Sequence, residues 1–387
     1  MPLKSLDLIR DLISFDTTSH ESNLEFVEYV EAYLGKLGVD SIRVYDDEQR
    51  KANLYATLGP QDLSGILLSG HTDVVPVEGQ NWTSNPFTVR EANGKLFGRG
   101  TADMKAFIAI ALAYAPEMLE RGLKIPIHLA FSYDEEVGHL GAKRLVEIIR
   151  EMPVRPAMCI VGEPTGMDVI VAHKGKRKMR VHVHGLEAHS SLAPKAVNAI
   201  EYAAELIAHI KGLARRIEKE GPFDDKFDLT HSTIQVGLIQ GGVQLNIVPN
   251  RCTFDLELRH LPNDDPEPLL EEIKDYARET LEPMMHAIDS NTGFKFEDIG
   301  TNYSLNIDPA EDIVALVKRL TGRNDHGKVA FGTEAGLFME RAGIPTVVCG
   351  PGHIAQAHKP DEFISVEQIA KGEDFMARLL DYVCRND

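Results

Sequence analysis

Cysteine and tryptophan are scarce in this chain, and long apolar runs are missing from it. The 387 residues include four cysteines, with no Cys-x-x-Cys pair, and one tryptophan. The cysteines are far apart and lie mostly in apolar runs, which favours buried thiols in a reducing compartment. No run approaches the roughly 20 apolar residues of a membrane helix, and we see no apolar amino-terminal segment. We therefore predict a cytoplasmic protein without a membrane partner.

Positive charge is also in short supply. Lys and Arg total 41 against 59 Asp and Glu, which gives a formal net charge of −18. This balance disfavours nucleic acid or an anionic membrane as a partner, although the site for a small substrate can differ in sign from the whole surface. With 43% hydrophobic and 26% charged residues, the composition is that of an ordinary globular protein with core enough for two or three domains.

The first 175 residues alternate short apolar runs with amphipathic segments, which is typical of an α/β layer structure. Apolar residues at helical spacing predict helices, and short apolar or alternating runs predict strands. The predicted helices cover 5–15, 21–37, 104–120 and 140–151, and the predicted strands include 66–69, 125–131 and 157–161. The same α/β pattern resumes after about residue 305, so the two parts are expected to form one domain.

The pattern between these two parts is different. From residue 176 onward the predicted order is β-α-β-β-α-β, the ferredoxin-like arrangement, with a weak last strand near 293–297. We predict one discontinuous α/β domain, residues 1–175 and 290–387, interrupted by an inserted α+β domain at residues 176–289.

Acidic and histidine side chains recur where predicted strands end. His71 and Asp73 follow an apolar run, and Asp103 lies where a glycine-rich turn meets a helix. Glu163 is held between Gly162 and a proline, which restricts its direction. Each has an ordinary structural alternative, such as a helix cap for Asp103 or a chance His-x-Asp pair.

Two further stretches add the same chemistry. Glu135 and Glu136 follow a buried strand, and His358 follows a strand and a glycine turn. A solvated carboxylate pair and a structural histidine are the alternatives here. Sites in open α/β sheets form at the edge where strands end, so we expect these residues to converge. Two His and three carboxylates suit a pair of zinc ions sharing Asp103, which leaves Glu135 free to take a proton from water.

Taken together, the motifs resemble the acetylornithine deacetylase / succinyl-diaminopimelate desuccinylase family of di-zinc amidohydrolases, over the whole chain. The segments that carry the resemblance are 69–76, 98–105, 134–136, 162–165 and 357–362. The resemblance implies a zinc-peptidase-like catalytic domain with a mixed sheet. It also implies that the inserted domain is a lid through which two copies form a homodimer.

The resemblance also implies roles for individual residues. One zinc would be held by His71 and Glu163, the other by Glu136 and His358, and both by Asp103, with Co²⁺ as a possible substitute. Asp73 would orient His71, Glu135 would be the general base, and His189 would reach the partner subunit's site to stabilise an oxyanion. Positions resembling substrate contacts are Asn246, Arg259, Gly332, Thr333 and Glu334.

The substrate class implied is a small N-acyl amino acid. Residues 331–335 resemble the branch of the family that hydrolyses N2-acetyl-L-ornithine to ornithine and acetate, a step of arginine biosynthesis. Arg259 suits a substrate carboxylate, and Glu334 suits a cationic amine. The alternatives left open are succinyl-diaminopimelate desuccinylase, another N-acyl-amino-acid hydrolase, an aminopeptidase, and an inactive metal-binding module.

Overall fold

The computed structural model describes residues 3–385, and the chain divides into two units. A mixed β-sheet forms the centre of the larger unit, unit 1. Unit 1 takes the described residues up to His173, Leu305–Lys328, and those from Thr333 onward. Unit 2 takes Lys174–Ser304 and the short segment Val329–Gly332. The discontinuous arrangement thus has its second boundary near residue 304, later than the predicted 289.

The helices and strands follow one another along the chain with short connections. The α-helices are α1 (Leu6–Ile13), α2 (Leu24–Lys36), α3 (Lys105–Arg121), α4 (Leu140–Glu151), α5 (Ala199–Glu220), α6 (Glu267–Tyr276), α7 (Glu282–His286), α8 (Asp312–Thr321), α9 (Ala335–Ala342) and α10 (Val366–Val383). The strands are β1 (Ser41–Tyr45), β2 (Ala52–Leu58), β3 (Ile66–His71), β4 (Arg90–Ala92), β5 (Lys95–Phe97), β6 (Ile127–Ser132), β7 (Met158–Val161), β8 (Ile170–His173), β9 (Gly175–His184), β10 (Thr233–Gly241), β11 (Arg251–His260), β12 (Gly293–Asn302), β13 (Leu305–Asn306), β14 (Gly327–Val329), β15 (Thr346–Val348) and β16 (Phe363–Ser365).

The main sheet of unit 1 has the strand order β1-β2-β6-β3-β7-β15-β8-β13, with β14 beside β8. Its four central strands β6, β3, β7 and β15 run parallel, and the flanking strands pair antiparallel. The predicted α/β class with a mixed sheet is confirmed. A smaller sheet, in the order β16-β5-β4, lies beside the loop that leads into α3.

The parallel centre of the sheet explains where a site can form. Every residue of β3 and of β6 is buried, as expected for parallel strands covered on both faces. Parallel strands end at the same edge, so the loops after β3, β6, β7 and β15 all open there. The sequence-predicted residues at 71, 135–136, 163 and 358 lie at the end of these strands or in the loops that follow.

Helix α3 is almost entirely apolar and is buried from Lys105 to Ala115. It packs against α1 and α10, so it is an internal helix. The loop immediately before that first turn carries Asp103. In the described residues, no helix combines the length and apolarity needed to cross a bilayer.

Unit 2 has the β-α-β-β-α-β order that the sequence predicted. Its sheet, β10-β11-β9-β12, is antiparallel throughout, and the apolar residues of α5 and α6 pack with those of the sheet in one core. The last strand is longer than the predicted 293–297, because β12 pairs with β9 from Gly293 to Asn302. That pairing places residues 290–304 in unit 2.

The second helix of the predicted β-α-β-β-α-β order is interrupted. It becomes α6, a π-helical turn at Ala277–Leu281, and the short α7. Pro283 lies at the start of α7 and has no N–H to continue the preceding hydrogen-bond pattern. Helix propensity along the sequence does not predict this π-helical turn.

Candidate metal centre

His71 is the last residue of β3 and only 1% exposed. Its Nδ1–H donates to the backbone carbonyl of Asp73 at 2.8 Å. Because a carbonyl only accepts, this bond fixes the proton on Nδ1 and turns Nε2 toward the sheet edge. There Nε2 lies 2.9 Å from Oδ1 of Asp103 and 3.8 Å from Oε1 of Glu163.

Asp103 lies between two histidines. While its Oδ1 faces His71, its Oδ2 lies 3.3 Å from Nε2 of His358. The same Nε2 of His358 lies 3.0 Å from Oε1 of Glu136. Asp103 therefore presents one oxygen to each half of the cluster, the arrangement expected of a carboxylate shared by two cations.

The donor atoms are close enough for metal binding. In the part of the chain that the structure describes, two sets have donor atoms within 4.8 Å of one another: His71, Asp103 and Glu136, and His71, Glu135 and Glu163. His358 is outside both sets, although it contacts Asp103 and Glu136. The second set contains Glu135, which the sequence predicts to be an uncoordinated base.

The electrostatics of the cluster indicate a shortage of positive charge. Burial, together with the Asp103 carboxylate, raises the pKa of Glu136 to about 7 and raises the pKa of Glu163 well above its ordinary value. Hydrogen bonds to Asp103 and Glu136 raise the pKa of His358 to about 10. Buried carboxylates packed around imidazole nitrogens are the donors that zinc and similar divalent cations prefer, so the residues present fit such a metal.

Asp73 contacts the cluster differently from the prediction. Its carboxylate is 3.6 Å from Nδ1 of His71, too far for a good hydrogen bond, and it is the carbonyl that orients the imidazole. The carboxylate instead accepts hydrogen bonds from the backbone N–H groups of Glu135 (2.9 Å) and Glu136 (3.3 Å) and from the hydroxyl of Ser19 (2.7 Å). Asp73 thus holds the loop after β6 against the end of β3.

Glu362 organises the Asp103 loop, a role that the sequence did not reveal. Its Oε1 accepts the backbone N–H groups of Gly100 (3.1 Å), Ala102 (2.9 Å) and Asp103 (3.2 Å). Its Oε2 accepts from the guanidinium of Arg99 at 2.6 Å, and both side chains are 1% exposed. The only sequence signal was its place four residues after His358, and nothing local indicated a partner 263 positions away.

Glu334 lies in a setting that disagrees with its predicted contact with a substrate amine. It is fully buried, and its carboxylate accepts the hydroxyls of Ser69 at 2.6 Å and Ser132 at 2.8 Å. Ser69 is in β3 and Ser132 in β6, so Glu334 joins the ends of two central strands. The neighbouring Thr333 is also buried and contacts the backbone N–H of Ala335 through its hydroxyl.

The remaining predicted residues belong to unit 2 and form two separate groups. His189 and Asn246 are neighbours, because Ser190 N–H donates to the carbonyl of Asn246 at 3.0 Å. The His189 ring is exposed and contacts the Ser191 hydroxyl at 2.9 Å. Arg259 lies near the opposite end of β11 and pairs with Glu257 at 2.7 Å.

Gly332 is in the short segment that unit 2 takes from the carboxyl-terminal part of the chain. A Cβ at this position would lie 3.5 Å from the carbonyl oxygen of Lys174, which is ordinary contact. Burial and the nearby charge of Arg259 lower the pKa of Lys174. Gly332 and Arg259 are therefore both near Lys174.

Comparisons with known proteins agree with this fold and this cluster. A family model described as peptidase family M20/M25/M40 matches residues 67–382. A protein named acetylornithine deacetylase, from Proteus mirabilis, is 33% identical over 387 residues, covering 98% of this chain and 96% of that protein. Aminopeptidase PepT from Bacillus cereus shares the fold with a TM-score of 0.76 at 24% identity, covering 99% and 98% of the two chains. An M20 family metallo-carboxypeptidase from Sulfolobus solfataricus also has a TM-score of 0.76, at 19% identity, covering 98% and 99%.

The fold, the buried donor cluster and these relatives define a metal-dependent hydrolase. The chain belongs to peptidase family M20/M25/M40, whose model covers most of its length. The predicted enzyme class is thereby confirmed at the level of amide or peptide hydrolysis.

Proposed function

We propose that this enzyme hydrolyses the amide bond of N2-acetyl-L-ornithine, giving ornithine and acetate, with two zinc ions held at the edge of the main sheet. The observation that carries the two-metal proposal is the division of the Asp103 carboxylate, with Oδ1 toward His71 and Oδ2 toward His358. A single structural metal has no need for a carboxylate placed between two histidines.

In this proposal the metal ligands are the five residues expected from the sequence. His71 and Glu163 hold one ion, Glu136 and His358 hold the other, and Asp103 contacts both. When bound, the ions supply Lewis acidity toward the scissile carbonyl and lower the pKa of water at the site. Co²⁺ has similar ligand preferences and is the expected substitute.

Glu135 is the proposed general base. Glu135 is 8% exposed, and its backbone N–H donates a hydrogen bond to the Asp73 carboxylate at 2.9 Å. Its carboxylate takes a proton from the attacking water and returns it to the nitrogen of the amide, so that ornithine leaves as a neutral amine. The new C–O bond forms when the water oxygen adds to the carbonyl carbon, and the C–N bond then breaks as the carbonyl double bond re-forms. The acetic acid that is released gives up the remaining proton of the water and becomes acetate.

Support for the acetylornithine substrate comes from the relatives and from the sequence resemblance of residues 331–335. It does not come from Glu334 as a contact for the substrate amine. The Proteus mirabilis relative is named for this activity and matches nearly the whole chain. Because Glu334 is buried against two serines, the residue that recognises the ornithine side chain is another one. Arg259 and Asn246 remain the proposed contacts for the rest of the substrate. Because they lie toward opposite ends of β11, in this proposal Asn246, like its neighbour His189, serves the site of the other copy.

The test is a substrate panel on the purified protein with zinc quantified per chain. We expect acetylornithine to give the highest kcat/KM, activity to be lost on chelation, and activity to return with zinc or cobalt. A large preference for succinyl-diaminopimelate, or for a peptide with a free α-amine, would overturn the substrate. Failure to turn over any N-acyl amino acid while metal remains bound would favour an inactive metal-binding module.

We also propose that unit 2 forms a homodimer through the edge strand β10. Apolar side chains are exposed on this strand and just beyond it: Leu238 is 67%, Ile239 56%, Val243 87% and Leu245 99% exposed. An exposed apolar edge strand is a ready surface for pairing with a second copy. In the dimer, His189 of one copy would serve the site of the other.

A further inference from the structure

His139 lies in the loop that joins β6 to α4, and it is buried although it is in a loop. His139 is 3% exposed. Its backbone has a φ of +59°, and the preceding Gly138 has a φ of +121°. The backbone N–H groups of Gly138 and His139 both donate to the carbonyl of Glu135, at 3.0 Å each. This tight turn brings the His139 side chain back toward the residue four positions earlier.

The imidazole of His139 contacts the carboxylate of the proposed general base. Nε2 of His139 lies 2.9 Å from Oε1 of Glu135, and the two side chains are only 4% and 9% exposed. An ionised carboxylate can only accept a hydrogen bond, so the imidazole must carry its proton on Nε2 to make this contact. A buried pair with this geometry is well shielded from water.

Glu135 is therefore restrained at three points. The backbone N–H of Glu135 donates a hydrogen bond to Asp73, and its backbone carbonyl accepts hydrogen bonds from the N–H groups of residues 138 and 139. One oxygen of its carboxylate contacts His139. A free glutamate side chain samples many rotamers, so holding it in one of them costs conformational entropy. With Oε1 occupied by His139, Oε2 is the oxygen left to exchange a proton with water and the departing amine.

We propose that His139 is a positioning residue for Glu135: its Nε2–H donates to Oε1 and holds Oε2 in the direction of proton transfer. This inference rests on the proposed role of Glu135 as general base. His139 keeps its own proton throughout the reaction, so the proton balance of hydrolysis stays with water, Glu135 and the amine.

The kinetic test uses a matched pair of variants, His139→Gln and His139→Met. Both replacements are unbranched and meet the same backbone conformation, but only glutamine places an N–H near the position of Nε2. We expect His139→Met to lower kcat by about tenfold to a hundredfold with KM and zinc content unchanged. We expect His139→Gln to recover most of the loss. Val137→Ala, at a 52% exposed position of the same loop, is the control that should behave as wild type.

Three results would overturn the inference. The first is an unchanged kcat in His139→Met, and the second is a His139→Gln variant no better than His139→Met. The third is a loss of zinc that accompanies the loss of kcat, because that would make Glu135 a metal ligand and His139 its support.

A second readout does not depend on activity or on folding of a His139 variant. In metal-free protein labelled with ¹⁵N-histidine, His139 should show an exchange-protected proton on Nε2, which Glu135→Ala should expose to exchange. A His139 ring protonated only on Nδ1 would overturn the pair. Retained turnover in Glu135→Gln would instead refute the proposed role of Glu135, with the His139 contact still detectable, so the two failures are distinguishable.

Discussion

Nε2 of His358 lies 3.0 Å from Oε1 of Glu136, although the two residues are 222 positions apart in the sequence. The contact joins the loop after β15 to the loop after β6 across the parallel centre of the sheet. His358 adopts φ +61°, an unfavourable conformation for a histidine, and its side chain is 49% exposed. Such strain at a polar cluster is typical of residues whose position serves a site.

Asp103→Asn should lower the metal content of the protein. An amide has a single oxygen and no negative charge, so it cannot supply an anionic ligand to each of the two proposed metal ions. We expect metal bound per chain to fall and activity to be lost, measured by elemental analysis and by titration of metal-free protein. Asp62→Asn, at an exposed position, is the control. Full occupancy of both proposed metals in Asp103→Asn would contradict a shared carboxylate.

Glu362→Gln should destabilise unit 1. The change leaves the buried Arg99 guanidinium without its carboxylate and weakens the contacts to the Asp103 loop. Removing one partner of a buried ion pair typically costs about 3–5 kcal/mol. Urea unfolding of wild type and variant would measure the cost. Glu367→Gln, which breaks the exposed pair with Lys371, should change the free energy of unfolding far less. Equal effects of the two changes would refute a special role for Glu362.

Glu334→Gln separates the structural role from the role expected from sequence. Since Glu334 accepts from Ser69 and Ser132, we expect the unfolding midpoint to fall while KM for acetylornithine is nearly unchanged. Loss of one buried partner costs roughly 1–3 kcal/mol. A selective rise in KM with unchanged stability would restore Glu334 as a substrate contact.

His128 should make stability depend on pH. Burial lowers the pKa of its imidazole from 6.5 to about 4, and the hydroxyls of Tyr55 and Thr57 both lie 2.9 Å from its Nδ1. The unfolded chain therefore binds a proton that the folded chain excludes. The resulting stabilisation, roughly 3 kcal/mol at 1.36 kcal/mol per pKa unit, is present above pH 6.5 and lost as the pH falls toward 4. Unfolding of His128→Gln should show a weaker dependence over this window, and an identical dependence would contradict the assignment.

Leu238→Lys should weaken the proposed dimer. A charge on the edge strand β10 opposes pairing with a second copy, and Leu238 is 67% exposed. Light scattering over a dilution series should show wild-type dimers and a shift toward monomers in the variant. Lys295→Leu, which changes charge on the strand at the other edge of the same sheet, is a control. A monomeric wild type would refute the proposal outright.

The sequence predicted the fold class and the composition of the cluster because the signals are local. Each of His71, Glu136 and Glu163 follows an apolar run that reads as a buried strand, and parallel strands necessarily end at one edge. Helix bounds were nearly right where apolar periodicity was strong, as in α4, predicted at 140–151 and found at Leu140–Glu151.

What the sequence could not supply are contacts between distant positions. The carboxylate of Asp73 bonds backbone groups 62 and 63 positions away, and Glu334 bonds a serine 265 positions away. Neither residue type nor spacing encodes such partners. The contact between His139 and Glu135 was missed for another reason: it depends on a left-handed backbone conformation at a residue that rarely adopts one.

Anomalous-scattering crystallography of the zinc-loaded enzyme tests the central claim most directly. We predict two zinc peaks about 3.5–4 Å apart, with one oxygen of Asp103 toward each. One peak alone, or two peaks that do not share Asp103, would contradict the two-metal site.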